Sequence, residues 1–247
     1  MTVKEHYDNH LGNFYSWMTG DFNSKKEQFK KILTDHGIKP KLNKIAIDLG
    51  SGHGLQSIPL AEIGFKVLAV DFNQQLTNEL KANAKGLPIK TRIDDIRNVA
   101  DFLKDNSELI VCCGDTISHL ANKIEVEKLI EDISNSLVDG GKIILSFRDY
   151  STCLSNINRF IPIRSDDTRI LTCILDYEDE YVNVTDLLHE KTNDCWIQKV
   201  SSYKKIRVLT REIIGLLQKN NFLIEYNNIL NGLTTIIATK SNLSNLV

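Results

Sequence analysis

Apolar and polar positions along this chain fall into two patterns. From about Lys44, short apolar runs are followed by stretches with helical spacing. "KIAIDLG" is β-branched at Ile45 and Ile47 and ends in a glycine turn. "LQSIPLAEIG" sets Leu55, Ile58, Leu60 and Ile63 at helical spacing, with Gly64 as the predicted C-cap. "KVLAVDF" reads as a second strand, "QQLTNELKANAKG" as a helix and "PIKTRIDDI" as a third strand with its turn. "SELIVCCGD" is an almost wholly apolar fourth strand. "EVEKLIEDISNSLVDGG" predicts an amphipathic helix closed by Gly140 and Gly141, and "KIILSFRDY" a fifth strand. Apolar strands alternating with helices predict a parallel sheet covered on both faces. Beyond Tyr150 the pattern changes. Thr168–Asp176, Tyr181–His189 and Trp196–Val208 read as three strands with short polar connections and no helix between them, an antiparallel meander. "TREIIGLLQKNNF" returns to helix with Thr210 as N-cap, and "FLIEYNNIL" and "LTTIIATK" form a last strand pair.

Four segments follow from this reading: a helical N-terminal arm over 1–43, a core over 44–150, an antiparallel β insertion over 151–208, and a last core helix and strand pair over 209–247. Apolar residues make up 42% and charged residues 25%, the balance of an ordinary soluble domain. With a net charge of −2 and no arginine-rich stripe, nucleic acid is not an expected partner. No apolar stretch approaches the ~20 residues that span a bilayer, and "MTVKEHYDNHLG" has no apolar signal core. Five cysteines without a CxxC pair fit neither a disulfide framework nor a zinc site. The expectation is a reduced, cytoplasmic protein. "LLHEK" lacks the second histidine of a zinc helix, so no metal is expected.

The stretch "AIDLGSGHGL" carries the chemistry. In open α/β sheets the ligand lies beyond the carboxyl ends of the strands, where Asp48 is followed by Gly50, Gly52 and Gly54. A nicotinamide fingerprint asks for a third glycine where Leu55 stands, and a pyrophosphate cradle is not found. Asp71 ends the second strand about 20 residues on, where two acceptor oxygens suit the adjacent hydroxyls of a ribose. Asp95, after the third strand, is placed to accept from an adenine amino group. Singly, each is equally a turn former. In order across three βα units, they describe an adenosine without a pyrophosphate.

In these motifs the chain resembles the class I S-adenosylmethionine-dependent methyltransferases. "AIDLGSGHG" is similar to their first motif, "VLAVDF" to their ribose-binding strand end and "RIDDIR" to their adenine-contacting segment. The resemblance implies a Rossmann-like sheet of order 3-2-1-4-5-7-6 with strand 7 antiparallel, and S-adenosylmethionine as cofactor. Further segments resemble glycine N-methyltransferases: "SIPLAEIGFKVLAVD", "CGDTISHL", "FRDY" and "WMTGDFNSKK". Carried over by position, the resemblance implies a cofactor set of Tyr7, Lys25, Asp48, Gly50, Ser51, Gly52, Gly54, Asp71, Phe72, Asp95, Ile96, Cys113 and Gly114. Within it, Tyr7 approaches the sulfonium and Lys25 pairs with the methionine carboxylate. Asp115, His119, Arg148 and Tyr150 line an acceptor pocket and make up the candidate catalytic set.

Two positions depart from that family. Asp115 replaces an asparagine, and a carboxylate beside a carboxylate substrate is repulsive, which argues against glycine and for an amine or hydroxyl-bearing acceptor. Lys25 replaces an arginine and loses its bidentate fork. A base is needed only for a phenol or alcohol, and His119, with an unperturbed pKa near neutrality, is the first candidate, Asp115 the second. Plainer roles stay open. His119 is equally placed to cap a helix, Arg148 to pair with Asp149, Tyr7 and Tyr150 to pack with a wet tip, and Cys113 to act as a small hydrophobe. The insertion over 151–208 is expected to cover a small-molecule acceptor or to form a homodimer contact. The expected activity is methyl transfer to nitrogen or oxygen of a small molecule. The alternative is a non-catalytic S-adenosylmethionine-binding partner protein.

Overall fold

The computed structural model describes residues 1–102, 106–193 and 195–241. An N-terminal arm contains α1 (Val3–Asn9), α2 (Tyr15–Thr19) and α3 (Phe22–Asp35). Thr2 and Glu5 close a capping box on α1, and Asp21 caps α3 through the Ser24 N–H. The core then runs β1 (Ile45–Leu49), α4 (Ser57–Glu62), β2 (Lys66–Asp71), α5 (Gln74–Ala84), β3 (Ile89–Ile93) and β4 (Ser107–Cys112). It continues with α6 (Lys123–Asn135) and β5 (Leu137–Phe147). A second sheet follows, built from β6 (Phe160–Ser165), β7 (Arg169–Tyr177), β8 (Tyr181–Thr192) and β9 (Cys195–Ile206). The described chain closes with α7 (Thr210–Lys219), β10 (Phe222–Leu230) and β11 (Leu233–Lys240).

The seven-stranded sheet has the order β3-β2-β1-β4-β5-β11-β10, with β11 antiparallel to β5. That is the expected order, with β11 as its seventh strand. Alternation along the central strands supplies both faces. Ile47, Leu49, Ile110 and Cys112 face α6 and α7, whereas Ala46, Leu109 and Val111 face α3 and α4. The four-stranded sheet β6-β7-β8-β9 is antiparallel throughout, and its inner face packs on the arm: Leu171 and Leu188 meet Leu11 and Phe14. Among the described residues, no helix is long and apolar enough to cross a membrane.

Three local expectations are corrected. The helix before β5 ends at Asn135, and Gly140 and Gly141 lie inside β5 instead of closing it. Leu137 already pairs with Ser107, and the backbone bends at Gly140, whose φ is +74°. A Cβ on Gly141 would stand 2.8 Å from the Val138 carbonyl oxygen, so glycine is needed there for packing. Thr210 is the first helical residue of α7 and does not cap it. The cap comes from Asp149, whose carboxylate accepts from the Thr210 N–H at 2.9 Å and from the Thr210 hydroxyl. The meander also has a strand more than expected. β6 is an exposed edge strand with Pro162 inside it and a bulge beside it, which obscures its period in sequence.

Candidate active site

The turn after β1 is fixed through its backbone N–H groups. Gly50 and Ser51 both donate to the Val70 carbonyl, at 2.9 and 3.0 Å, and the Gly52 N–H donates to Asp71 Oδ2 at 2.8 Å. Gly50 has a φ of +73°, and a Cβ there would stand 2.4 Å from the Thr116 side chain. The turn thus lies flat against the loop after β4. Between them opens a cavity of about 440 Å³ walled by Gly50, Gly52, Asp71, Phe72, Asp95, Ile96 and Gly114, with Met1–Lys4 of the arm along one side. Asp71 Oδ1 accepts from the Asn73 N–H at 2.8 Å. Each Asp71 oxygen therefore carries one backbone bond and keeps a lone pair for a ligand hydroxyl.

Three members of the expected cofactor set stand behind this wall. Asp48 and Ser51 are buried and line neither this cavity nor its neighbour. Asp48 accepts from the Ser57 hydroxyl at 2.5 Å, its other oxygen has no partner among the described residues, and burial pushes its carboxyl up to about 7. Gly54 packs on Ile58 and Leu80. These residues shape the turn from beneath. Asp95 does line the cavity; its carboxylate accepts three bonds from Arg97, two on Oδ1 and one on Oδ2, which leaves one lone pair on Oδ2.

A second cavity of about 460 Å³ adjoins the first, between the core and the inner face of the four-stranded sheet. Tyr7, Tyr15, Gly114 and His119 line both cavities and form their common wall. Asp115, Arg148 and Tyr150 line the second cavity together, and so do Lys25 and Cys113. Lys25 lines the second cavity and not the first. Cys113 is buried and burial pushes its thiol up to about 12, so it serves there as a small apolar group.

The acceptor-side groups are organised around Asp115. Its carboxylate accepts from the Arg148 N–H at 2.9 Å, the Tyr150 hydroxyl at 3.3 Å and the Lys205 ammonium at 2.6 Å. Burial drives the Asp115 carboxyl up, but Lys205, His119 and these hydrogen bonds override it and hold the pKa below its ordinary value. The repulsion expected from this carboxylate is therefore offset by Lys205. Of the two roles open to Arg148, pairing with Asp149 is not the one adopted, because Asp149 caps α7. The Arg148 guanidinium is exposed at the cavity and has no acidic partner among the described residues.

His119 ends a short 3₁₀ turn, Thr116–His119, and stands edge-on to Tyr7 and Tyr203. Its Nε2 is buried without a partner among the described residues. Burial first, and Lys205 second, depress its pKa to about 3, so the expectation of an unperturbed histidine is corrected. Sequence reasoning missed Lys205, Tyr203, Tyr15 and the Asp186–His6 pair, whose His6 Nε2 stands 3.1 Å from Asp186 Oδ2. The signal lay in "SSYKKI": Ser201, Tyr203 and Lys205 alternate along β9, so one lysine of the pair must face inward.

Comparison with known proteins adds to this geometry. A family model described as a methyltransferase domain matches residues 46–141. The glycine/sarcosine N-methyltransferase of Aphanothece halophytica is 30% identical over 133 residues, 53% of this chain and 48% of that protein. The chain thus spans about half the length of the curated relatives it matches. Among solved structures, a S-adenosylmethionine-dependent methyltransferase from Clostridium acetobutylicum aligns with a TM-score of 0.73 and 17% identity, covering 96% of each chain. An amino pentose methyltransferase of calicheamicin biosynthesis from Micromonospora echinaspora aligns at 0.73 and 12% identity, over 94% of this chain and 97% of that one. Residues 46–141 thus match a methyltransferase domain, and the fold and its sheet order are those of the solved S-adenosylmethionine-dependent methyltransferases.

Proposed function

We propose that this protein is an enzyme that transfers a methyl group from S-adenosylmethionine to the nitrogen of a small-molecule amine. The observation that carries the reading is the pair of cavities meeting at Tyr7, Tyr15, Gly114 and His119. One has the donors and acceptors of an adenosine site. The other is polar at Asp115, Arg148 and Lys205 and is covered by the four-stranded sheet. A protein that only bound the cofactor would need no second cavity.

The first cavity fits the cofactor on its own terms. The open Asp71 lone pairs suit ribose hydroxyls, Phe72 and Ile96 offer apolar walls to a base, and Gly50 and Gly52 let a ligand reach the backbone. The bound cofactor supplies an electrophilic methyl on a sulfonium. The chain contributes alignment across the shared wall and exclusion of water by the arm and the second sheet.

Nitrogen is favoured over oxygen by the state of the candidate bases. A phenol or alcohol must lose a proton on attack, and a base serves best when its pKa is near the working pH. His119, held at about 3, accepts a proton poorly, and Asp115 is kept ionised by Lys205. An amine that enters neutral needs neither. His119 then acts as an uncharged hydrogen-bonding group at the shared wall. The relatives that methylate glycine, sarcosine and an amino pentose accord with such an acceptor.

Calorimetric titration with S-adenosylmethionine, S-adenosylhomocysteine and NAD in parallel tests the cofactor half. Micromolar binding of the first two and none of NAD is expected, and failure of both sulfur compounds to bind removes the reading. Release of S-adenosylhomocysteine with amines but not phenols tests the choice of nitrogen, and turnover of phenols alone reverses it.

A further inference from the structure

The residue in the acceptor cavity that neither motif nor resemblance singled out is Lys205. It projects from β9 of the second sheet across the cavity to Asp115, which follows β4 of the core. Both side chains are largely removed from solvent, at 13% and 7% exposure, so the contact is built into the cavity wall. An ammonium has three N–H donors. Among the described residues, Asp115 Oδ2 is the single acceptor placed on this one. The Tyr203 ring centroid stands 5.8 Å away and offers a π face but no lone pair in the cavity plane. Asp115, in turn, already accepts from Arg148 N–H, Tyr150 hydroxyl and Lys205, which leaves a single lone pair, on Oδ1, for an acceptor.

Buried donors without partners are costly, and a cavity that holds them is shaped for a ligand that brings oxygen to them. We propose that Lys205 is a specificity-determining residue for the acceptor: its two unspent N–H donors take a hydroxyl or carboxylate oxygen carried beside the amine to be methylated. Asp115 fixes the direction of the ammonium, and the Lys205–Asp115 bridge locks the second sheet to the core at the distance that this recognition needs. The chemistry shared by the possible acceptors is an amine with a neighbouring oxygen. An amino acid supplies that oxygen as carboxylate and an amino alcohol as hydroxyl. Arg148, unpaired at the same cavity, favours the carboxylate without being required for the hydroxyl. The assignment rests on the proposed methyl transfer to an amine.

The test compares three probes of similar size, glycine, ethanolamine and ethylamine, with wild-type protein, Lys205→Met and Lys205→Arg. Binding to the S-adenosylhomocysteine complex is measured by calorimetry and turnover by product release. Wild type is expected to favour glycine or ethanolamine over ethylamine by at least tenfold, with the favoured probe identifying the oxygen source. Lys205→Met should erase that preference through KM, and Lys205→Arg should restore part of it. A wild type that binds neither oxygen-bearing amine better than ethylamine overturns the assignment, as does a Lys205→Met protein that keeps the preference. Affinity for S-adenosylhomocysteine should stay within twofold in both variants. This separates the outcomes: loss of that affinity in wild type sinks the methyltransferase reading itself, while loss in Lys205→Met alone marks the lysine as structural.

Discussion

The two cavities share a wall but are made in opposite ways. The cofactor cavity is formed chiefly by main chain: a turn of three left-handed glycines, its N–H groups tied to Val70 and Asp71, and two strand-terminal acids within one stretch of sequence. The acceptor cavity is formed by side chains from distant places, with Asp115, Tyr150 and Lys205 brought together by β4, β5 and β9. A backbone cradle tolerates no added atoms, whereas a side-chain cluster depends on each charge having its partner. The two regions should therefore fail differently.

The largest effect is expected at the turn. Gly50→Ala places a Cβ at 2.4 Å from Thr116 in a backbone conformation with φ of +73°. The strain should cost about 2 kcal/mol of stability and lower cofactor affinity by more than tenfold in calorimetry. Unchanged affinity would mean that the turn does not touch the cofactor. In the acceptor cavity, Asp115→Asn keeps the shape and tolerates the left-handed φ of +73°, but leaves the Lys205 charge uncompensated. About 2 kcal/mol of stability should be lost, less than for a fully dry pair because the amide still accepts a bond. Adding Lys205→Met should recover most of it, and cofactor affinity should not move. A double variant no more stable than Asp115→Asn would show that the bridge is not the coupling.

A pH series sharpens the contrast, because beneath the backbone cradle lies a buried acid, Asp48. The Asp48 carboxyl is raised from 3.8 to about 7 by burial. The folded state therefore holds a proton that the unfolded chain has released, and the stability this gives is complete below pH 3.8 and lost as pH rises to about 7. Asp48→Asn removes that loss. Thermal melts should show the variant more stable at pH 8, at about 2–4 °C for each kcal/mol in a chain of this size, and no gain at pH 4. A gain at both would point to packing instead of charge.

How much was legible follows the same division. The strands of the core, the glycine turn and Asp71 could be read because local pattern fixes them, an apolar run, a turn and an acid, whereas the order of the seven strands came through resemblance. Asp115, Arg148 and Tyr150 were reached through resemblance; they do line one cavity, but their electrostatics could not be read. A carboxylate's charge is set by what comes to face it, and Lys205 arrives from 90 residues away. His119 was misjudged for the same reason, since burial and a cation on another sheet set its pKa. Asp95 was legible as a position, but not the three bonds that it accepts from Arg97, two residues on. Gly140 misled because a glycine that ends a helix and one that bends a strand are the same letter.

The smallest predicted effect tests whether support for the acceptor cavity can be loosened without touching the cofactor. Asp149 lies between Arg148 and Tyr150 but faces away from their cavity: Oδ2 accepts from the Thr210 N–H and Oδ1 from the Ser151 N–H at 2.7 Å. Burial raises its carboxyl, yet these bonds hold the pKa below its ordinary value, so the group caps α7 as a carboxylate. Asp149→Ala should cost about 1 kcal/mol, the usual worth of a helix N-cap. Cofactor affinity should not change, since none of these bonds reaches the glycine turn. The turn that presents Arg148 and Tyr150 loses its tie to α7, so acceptor KM should rise a few-fold with kcat nearly constant. A fall in cofactor affinity would instead show that the two cavities are not independent, and that the side-chain cluster helps to hold the backbone cradle in place.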